Sequence, residues 1–199
     1  MKHTLISALF LTGLLAAPAQ ERLSREDALK YAFFASTDLK AMLNTPIPTD
    51  PDIKRPVGVH DGDYGALVLP EAKLNADTFA KAGKEPKPVG QLWLRNLAPE
   101  NEGQRAPQSD LYTVHVRAMD QEADAVCCAL AVSKKEDGGL ELLIYGKGKE
   151  PVARAQMKSI TSQQDNPVEI SAERKDDDGL ITLKFLGKYE VTFTVSAPD

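Results

Sequence analysis

The densest group of residues able to do chemistry surrounds one glycine, Gly62. His60, Asp61 and Asp63 stand on either side of it. Asp-Gly is a strong signal for a two-residue hairpin turn, so the sequence predicts a turn at Asp61–Gly62 closed by a cross-strand pair of His60 and Asp63. A carboxylate beside an imidazole favours the charged ring and fixes its orientation, which is half of an acid–base site or part of a metal site. The alternative is an exposed hairpin tip in which Asp and Gly serve only the turn.

A second histidine, His115, completes the set of candidate catalytic residues. Alternation along residues 111–117 places it on the polar face of a strand, with Thr113 and Arg117. It would join His60 only if the two strands packed edge to edge. A histidine at the surface without a catalytic role is the simpler interpretation. The catalytic candidates are therefore His60, Asp61, Asp63 and His115, and the sequence assigns no nucleophile to them.

A candidate binding surface is centred on Trp93, the one tryptophan of the chain. Within a predicted strand, Gln91, Trp93 and Arg95 share one face, while Leu92 and Leu94 share the other. An indole between polar neighbours offers apolar stacking area with a polar edge, as a carbohydrate or peptide platform requires. The alternative is that Trp93 packs beneath a long loop or a helix. The sequence thus gives Trp93, Gln91 and Arg95 as candidate binding residues.

Two adjacent cysteines, Cys127 and Cys128, are the only ones in the sequence. Neighbouring Cα atoms lie about 3.8 Å apart, which is below the usual disulfide range of about 4.4–6.8 Å. In a strand the two side chains also point to opposite faces. We expect two buried thiols that act as small hydrophobic residues, with a strained vicinal disulfide and a metal or redox role as the alternatives.

Several sequence motifs of known enzyme classes are missing from the chain. It contains no phosphate-binding G-x-x-x-x-G-K-[ST], no G-x-S-x-G, no H-E-x-x-H and no G-x-G-x-x-G. No spacing of Cys and His typical of a zinc site is present either. The sequence therefore favours a protein that is not an enzyme, and it predicts neither a cofactor nor a bound metal.

The N-terminus has the three parts of a secretory signal peptide. Met1–His3 carries positive charge, residues 5–17 are largely apolar, and Ala17-Pro18-Ala19 offers small residues at both positions that a signal peptidase reads. We predict a signal peptide over residues 1–19, with an uncleaved membrane anchor as the alternative. The apolar stretch is short for a hydrocarbon core about 30 Å thick. The expected product is soluble and is either secreted or periplasmic. This expectation agrees with the lack of a later apolar segment long enough to span a membrane.

The overall composition limits the classes of molecule that the protein is expected to bind. The chain has 199 residues, a formal net charge of −5 and 42% hydrophobic residues. The apolar fraction is too high for a disordered chain, and the acidic balance argues against nucleic acid or anionic lipid as the main partner. An unidentified protein, glycan or small molecule remains as the expected partner.

One amphipathic helix is expected before the strands begin. Ser24 stands three residues before Asp27, as at a helix start, and Asn44 with Pro46 ends the pattern after about five turns. The predicted apolar stripe consists of Leu29, Phe33, Ser36, Leu39 or Lys40, and Leu43, widened by Ala32 and Met42. A proline-rich connector over residues 45–56 completes an N-terminal segment of residues 20–56.

Residues 57–199 show the period-two alternation of antiparallel strands. The C-terminal end predicts a three-stranded meander, with strands near residues 168–173, 181–185 and 189–195. Residues 125–132 are apolar on both faces, large on one and small on the other, which indicates a central strand whose small face is covered by the helix. Residues 75–89 and 99–110 are expected to be irregular. This predicts a mainly β fold, an antiparallel β-sandwich or else a closed or partly open β-barrel, with one N-terminal helix packed on it.

Three functions agree with these observations. The favoured one is an exported, non-enzymatic β-domain with a binding or structural role in the cell envelope or outside the cell. If it binds, the Trp93 face and the irregular segments are where recognition is expected. The alternatives are a hydrolase or metal-binding protein that uses His60 and Asp63, and a β-barrel that encloses a small apolar ligand.

Overall fold

The computed structural model describes residues 20–37, 45–118, 121–175 and 178–197. The predicted signal peptide and the last predicted turns of the first helix, residues 38–44, lie outside these ranges. No helix in the described part of the chain is both long enough and apolar enough to cross a membrane.

Strands dominate the described residues, with two helices among them. The helices are α1 (Arg25–Thr37) and α2 (Ala76–Ala80). The first strands are β1 (Glu21–Arg22), β2 (Val57–Asp61), β3 (Tyr64–Pro70), β4 (Lys87–Arg95), β5 (Ala98–Asn101), β6 (Gln104–Arg105) and β7 (Tyr112–Ala118). The remaining strands are β8 (Gln121–Lys134), β9 (Leu140–Tyr145), β10 (Ala153–Ser159), β11 (Val168–Lys175), β12 (Asp178–Phe185) and β13 (Tyr189–Ser196).

The strands form one large antiparallel sheet that curls into a half-barrel. Its hydrogen-bonded order is β1-β2-β3-β4-β8-β9-β10-β13-β12-β11. The long strand β8 is central: one edge pairs with β4, and the other pairs first with β7 and then with β9. The curl brings β11 close to β2, although no backbone ladder joins these two strands in the described residues. The prediction of a mainly β antiparallel fold with an early helix on it is confirmed.

The sheet is apolar on both faces at its centre, as the sequence of β8 predicted. The concave face collects Val126, Cys128, Leu130 and Val132 into the main core, with residues from most other strands. The convex face carries Cys127, Ala129 and Ala131, which lie in a second core cluster with α1. Small side chains on this face let the helix backbone approach closely. The convex cluster is completed by Leu67, Leu69, Trp93, Val114, Leu143 and Tyr145.

Helix α1 begins where the sequence predicted but turns a different face to the sheet. The Ser24 hydroxyl accepts a hydrogen bond from the backbone N–H of Asp27 at 3.1 Å, which caps the helix. The buried face consists of Ala28, Ala32 and Ala35, whereas Phe33 is 62% exposed. The predicted stripe through Phe33 is therefore wrong. The helix therefore packs on its nearest strands, β2, β3 and β7, through alanines instead of through Phe33.

Two segments predicted to be irregular contain regular structure. Within residues 75–89, Asn75 and Thr78 form a capping box that starts the short helix α2, and β4 begins at Lys87. Within residues 99–110, the strands β5 and β6 form a short hairpin. The proline and glycine content of these segments suggested loops. The capping box nevertheless stabilises α2, and pairing with β13 stabilises β5.

The C-terminal meander has the three predicted strands, but Asp178 and Gly179, expected to form the first turn, belong to β12 instead. β11 pairs with β12 and β12 pairs with β13, with Ile170 opposite Leu183 and Leu183 opposite Val191. These three residues are buried in the concave core. On the other face, the hydroxyls of Thr182 and Thr192 lie 2.8 Å apart in a hydrogen bond. The meander therefore has one buried face and one polar face, as alternation predicted.

Candidate functional site

A groove of about 390 Å³ lies between α1 and the hairpin formed by β2 and β3. We call it the α1 groove. Asp27, Tyr31 and Ala35 face it from the helix, at the i, i+4 and i+8 positions of one side. Its other lining residues are Leu23, Val59, His60, Gly62, Tyr64, Gly65, Ala66, Leu67, Trp93, Arg95 and Ala125. Its volume is within the range of about 300–1,000 Å³ that is typical of small-molecule sites.

A row of paired residues across four strands explains why there is space in the groove. His60 of β2 pairs with Gly65 of β3, Gly65 with Arg95 of β4, and Arg95 with Ala125 of β8. Directly paired residues of an antiparallel sheet point to the same face, here the convex one. Because Gly65 has no side chain, the floor between His60 and Arg95 is open. A Cβ at position 65 would meet nothing closer than the Val59 carbonyl oxygen at 3.5 Å.

Trp93 forms part of the floor and is also part of the core. It is 4% exposed and lies in the convex cluster with α1. Its indole Nε1 donates to Gln91 Oε1 at 3.1 Å, and Gln91 Nε2 donates to Thr49 Oγ1 at 2.8 Å. The structure therefore places Trp93 under the helix, the alternative given above, rather than on an open platform. Gln91, at 1% exposed, does not line the groove and holds the indole in position.

Arg95 carries the positive charge of the groove and is only lightly engaged. Its side chain is 35% exposed, and Nη2 lies 3.4 Å from Oδ1 of Asp63, whose side chain is 86% exposed. The Arg95 Nε–H is buried without a hydrogen-bond partner in the described residues. An exposed pair of this length contributes little, so most of the donor capacity of this guanidinium is free for another acceptor.

The hairpin turn next to the groove lies one residue later than predicted. Asp61 pairs with Tyr64, so the two-residue turn is Gly62–Asp63, with Gly62 at a φ of 57°. This register sets Val59 in the concave core, and a shift by one residue would turn it outward. The expected cross-strand pair of His60 and Asp63 is therefore wrong.

The structure separates the members of that polar cluster. His60 lines the α1 groove, and its Nε2 lies 3.8 Å from Oε2 of Glu21. Asp61 lines a second cavity of about 70 Å³, between the β2–β3 hairpin and strands β11 to β13, which His60 also borders, although the side chains of these adjacent strand residues point to opposite faces. Asp63 contacts Arg95 at the tip of the hairpin. These side chains do not converge on one point, as an acid–base or metal site would require.

His115 lies on the opposite face of the sheet from His60. Its neighbour Val114 pairs with Ala125, which belongs to the same row as His60, so His115 points the other way. The row also separates the two strands by four strand spacings, roughly 19 Å along the sheet. The structure therefore does not bring the two histidines together. His115 is instead bonded to two carboxylates of the neighbouring strand.

Both cysteines are free and fully buried, on opposite faces of β8. Burial raises the pKa of the Cys127 thiol well above its usual range and raises the pKa of Cys128 to about 12. The thiolate is the form that reacts and binds metals, so these thiols are inert near neutral pH. The prediction that they act as small hydrophobic residues is confirmed. Among the described residues no group of three or more His, Cys, Asp or Glu side chains is placed to hold a metal ion.

Comparisons with known proteins add no family to this description. No protein-family model, no curated protein and no solved structure matches the chain. The function is therefore inferred from the geometry of the α1 groove.

Sequence reasoning found Trp93, Arg95 and His60 but missed the helix side of the groove. Asp27, Tyr31 and Ala35 repeat at helical spacing beside the alanine face, so the signal was present. Gly65 inside a strand was a further signal, since a strand glycine often marks a close approach of a ligand or another backbone. The pairing of β4 with β3 and β8 brings these residues together. The sequence does not show this pairing.

Proposed function

We propose that this protein is an exported, non-enzymatic binding protein that holds a small ligand in the α1 groove. The observation that carries the proposal is the mixed lining of that groove. Trp93, Tyr31 and Leu67 offer apolar and aromatic contacts, and His60 and Arg95 add polar groups to the same lining. Ligand sites typically combine a mostly apolar surface with a few polar groups that fix orientation.

The position of the groove in the fold supports the same role. Its floor is a sheet whose strands are fixed by pairing on both sides, and its wall is a helix packed through alanines. A site on such rigid elements is largely formed before the ligand arrives, which lowers the entropic cost of binding. Export remains a proposal that rests on the signal peptide predicted for residues 1–19.

The other two functions have less support in the geometry. A hydrolase or metal site at His60 and Asp63 lacks the paired arrangement it needs, since the two residues face different neighbours. A ligand inside the half-barrel would compete with the side chains of the concave core, which occupy that side of the sheet. The larger cavity lies outside the half-barrel, under α1.

A neutral fluorescent dye tests the groove directly. N-phenyl-1-naphthylamine should bind, gain fluorescence, and accept energy from Trp93, the one tryptophan of the chain, when the indole is excited. Replacing Trp93 would damage the core, so the blocking variant is Gly65→Val. Its Cβ meets only ordinary contacts, and its methyl groups occupy the floor between His60 and Arg95. We expect it to weaken dye binding at least tenfold without a change in melting temperature.

The matched control is Gly83→Val, which makes the same change at a glycine with nothing within 4 Å of its Cβ position. This variant should bind the dye like the wild type. If Gly65→Val bound as tightly as the control, or if the wild type did not bind the dye, the groove would not be a ligand site.

A further inference from the structure

We propose that the ligand of the α1 groove is a small amphipathic carboxylate, with the carboxylate held over Gly65 by Arg95 and His60. The inference rests on the proposed function and adds the chemical class of the ligand. Its body is expected to be aromatic or branched and apolar, because it would lie along Tyr31, Leu67 and the edge of Trp93.

The hydrogen bonding of Arg95 indicates a ligand that carries hydrogen-bond acceptors. A guanidinium has five N–H donors, and here a single contact of 3.4 Å to Asp63 engages one of its nitrogens. The Nε–H is buried with no partner in the described residues, and a buried donor without a partner is costly. Because Nε is enclosed by the protein, a ligand would reach the terminal Nη1 and Nη2 groups, and a carboxylate can take two parallel hydrogen bonds from these.

The opening over Gly65 fits the size of a carboxylate. His60 and Arg95 each lie one strand spacing from Gly65, so their backbones are about 10 Å apart on the same face. Arg95 reaches the space over the glycine from β4, and His60, whose Nε2 lies 3.8 Å from Glu21 on the far side of β2, has to turn its ring toward the glycine when the carboxylate binds. A side chain at position 65 would occupy the place where the carboxylate is expected.

The one acidic residue that lines the groove does not favour a cationic ligand. Asp27 already accepts a hydrogen bond from the Ser24 hydroxyl, 2.6 Å between Oγ and Oδ2, as part of the helix cap. Its carboxylate therefore has a partner, whereas Arg95 has donors to spare. We therefore expect a negatively charged ligand, because Arg95 has unused hydrogen-bond donors while Asp27 already has a partner.

Three probes with the same phenyl group and similar chain length differ mainly in charge: 4-phenylbutyrate, 4-phenylbutan-1-ol and 4-phenylbutylamine. Binding is measured for the full chain by calorimetry and by quenching of Trp93 fluorescence. We expect the carboxylate to bind about tenfold or more tightly than the alcohol, and the ammonium more weakly than both.

Two substitutions at the anion site should change the carboxylate affinity in opposite directions. Arg95→Gln should lower it about tenfold and leave the alcohol within twofold of the wild type. Asp63→Asn removes the competing negative charge beside Arg95, at an exposed turn position that suits Asn, so it should raise the carboxylate affinity several-fold. The control for the loss of one arginine is Arg154→Gln on β10, outside the groove lining, which should change neither affinity.

The outcomes distinguish this inference from the proposed function. Equal binding of the carboxylate and the alcohol, or tighter binding of the ammonium, would overturn the carboxylate assignment and leave the groove as a binding site. A lack of binding by all three probes and by the naphthylamine dye would overturn both. If Arg95→Gln lost stability, the gain expected for Asp63→Asn would still decide the matter.

Discussion

His115 shows how neighbours on a strand set the charge of a single residue. Its Nδ1 lies 2.9 Å from Oδ1 of Asp124, and its Nε2 lies 3.4 Å from Oε2 of Glu122. The hydrogen bond to Asp124, and then that to Glu122, raise the pKa of His115 above its usual range. The site is exposed, so its effect on the protein is local.

Replacing Asp124 by Asn should lower the pKa of His115, measured by NMR titration of the imidazole. In the wild type the pKa of His115 is higher in the folded state than in the unfolded chain, where it is about 6.5. The resulting stabilisation of the folded state is complete at pH values below about 6.5. That stabilisation is lost as pH rises through the folded pKa, so the pH dependence in this window should shrink in Asp124→Asn.

Glu122→Gln serves as the graded comparison for this titration. It removes the longer of the two contacts and should lower the pKa of His115 by less. An unchanged pKa in Asp124→Asn would show that the pair does not persist in solution.

At the scale of elements, the packing of α1 on the convex face of the sheet depends on the small side chains of the helix, and its nearest strands are β2, β3 and β7. Ala32 is fully buried in the cluster that contains Cys127, Ala129 and Ala131. This contact sets the height of the helix above the sheet, and so the depth of the α1 groove.

Ala32→Leu should destabilise the protein by about 1–3 kcal/mol, because added methyl groups in a well-packed layer force the helix away. Urea denaturation measures the change. The control is Lys30→Leu, which adds a leucine on the exposed side of the same helix and should stay within about 0.5 kcal/mol. Equal stabilities of the two variants would mean that the helix does not pack through its alanine face.

The same helix shows which parts of the fold can be predicted from sequence. The cap at Ser24 and the alternation of β8 are local signals, and both were correct. The predicted face of α1 was wrong because large residues such as Phe33 were expected inward, while the helix packs through Ala28, Ala32 and Ala35. Local patterns mark single residues of the groove, such as Gly65, but their assembly depends on pairings between distant strands. Local sequence patterns therefore predicted the secondary structure, whereas the packing of elements across the sheet could not be predicted from them.

At the scale of the whole molecule, Phe79 links two distant parts of the half-barrel. It lies in α2, between β3 and β4, and is 2% exposed. Its ring stacks on Tyr189 of β13 at 4.6 Å between centroids and lies 5.7 Å from that of Phe185 of β12. This aromatic contact joins the first strands to the C-terminal meander.

Phe79→Ala should lower the free energy of unfolding by about 3–5 kcal/mol, since a large ring leaves a cavity that the sheet cannot close. Unfolding followed by circular dichroism and by Trp93 fluorescence should show the loss with both probes. Phe33→Ala, an exposed phenylalanine of α1, should cost far less. A small effect of Phe79→Ala would mean that α2 is not part of the core.

The open side of the half-barrel has a consequence for solubility. In the described residues the main path of the sheet ends at two edge strands, besides the free edge of β7, and unpaired edges invite pairing between molecules and aggregation. One edge here is β1, only two residues long, and the other is β11, which carries Glu169, Glu173 and Arg174. Short length and charge are the usual protections of an edge. The protein should therefore stay dispersed at high concentration even though its barrel is incomplete.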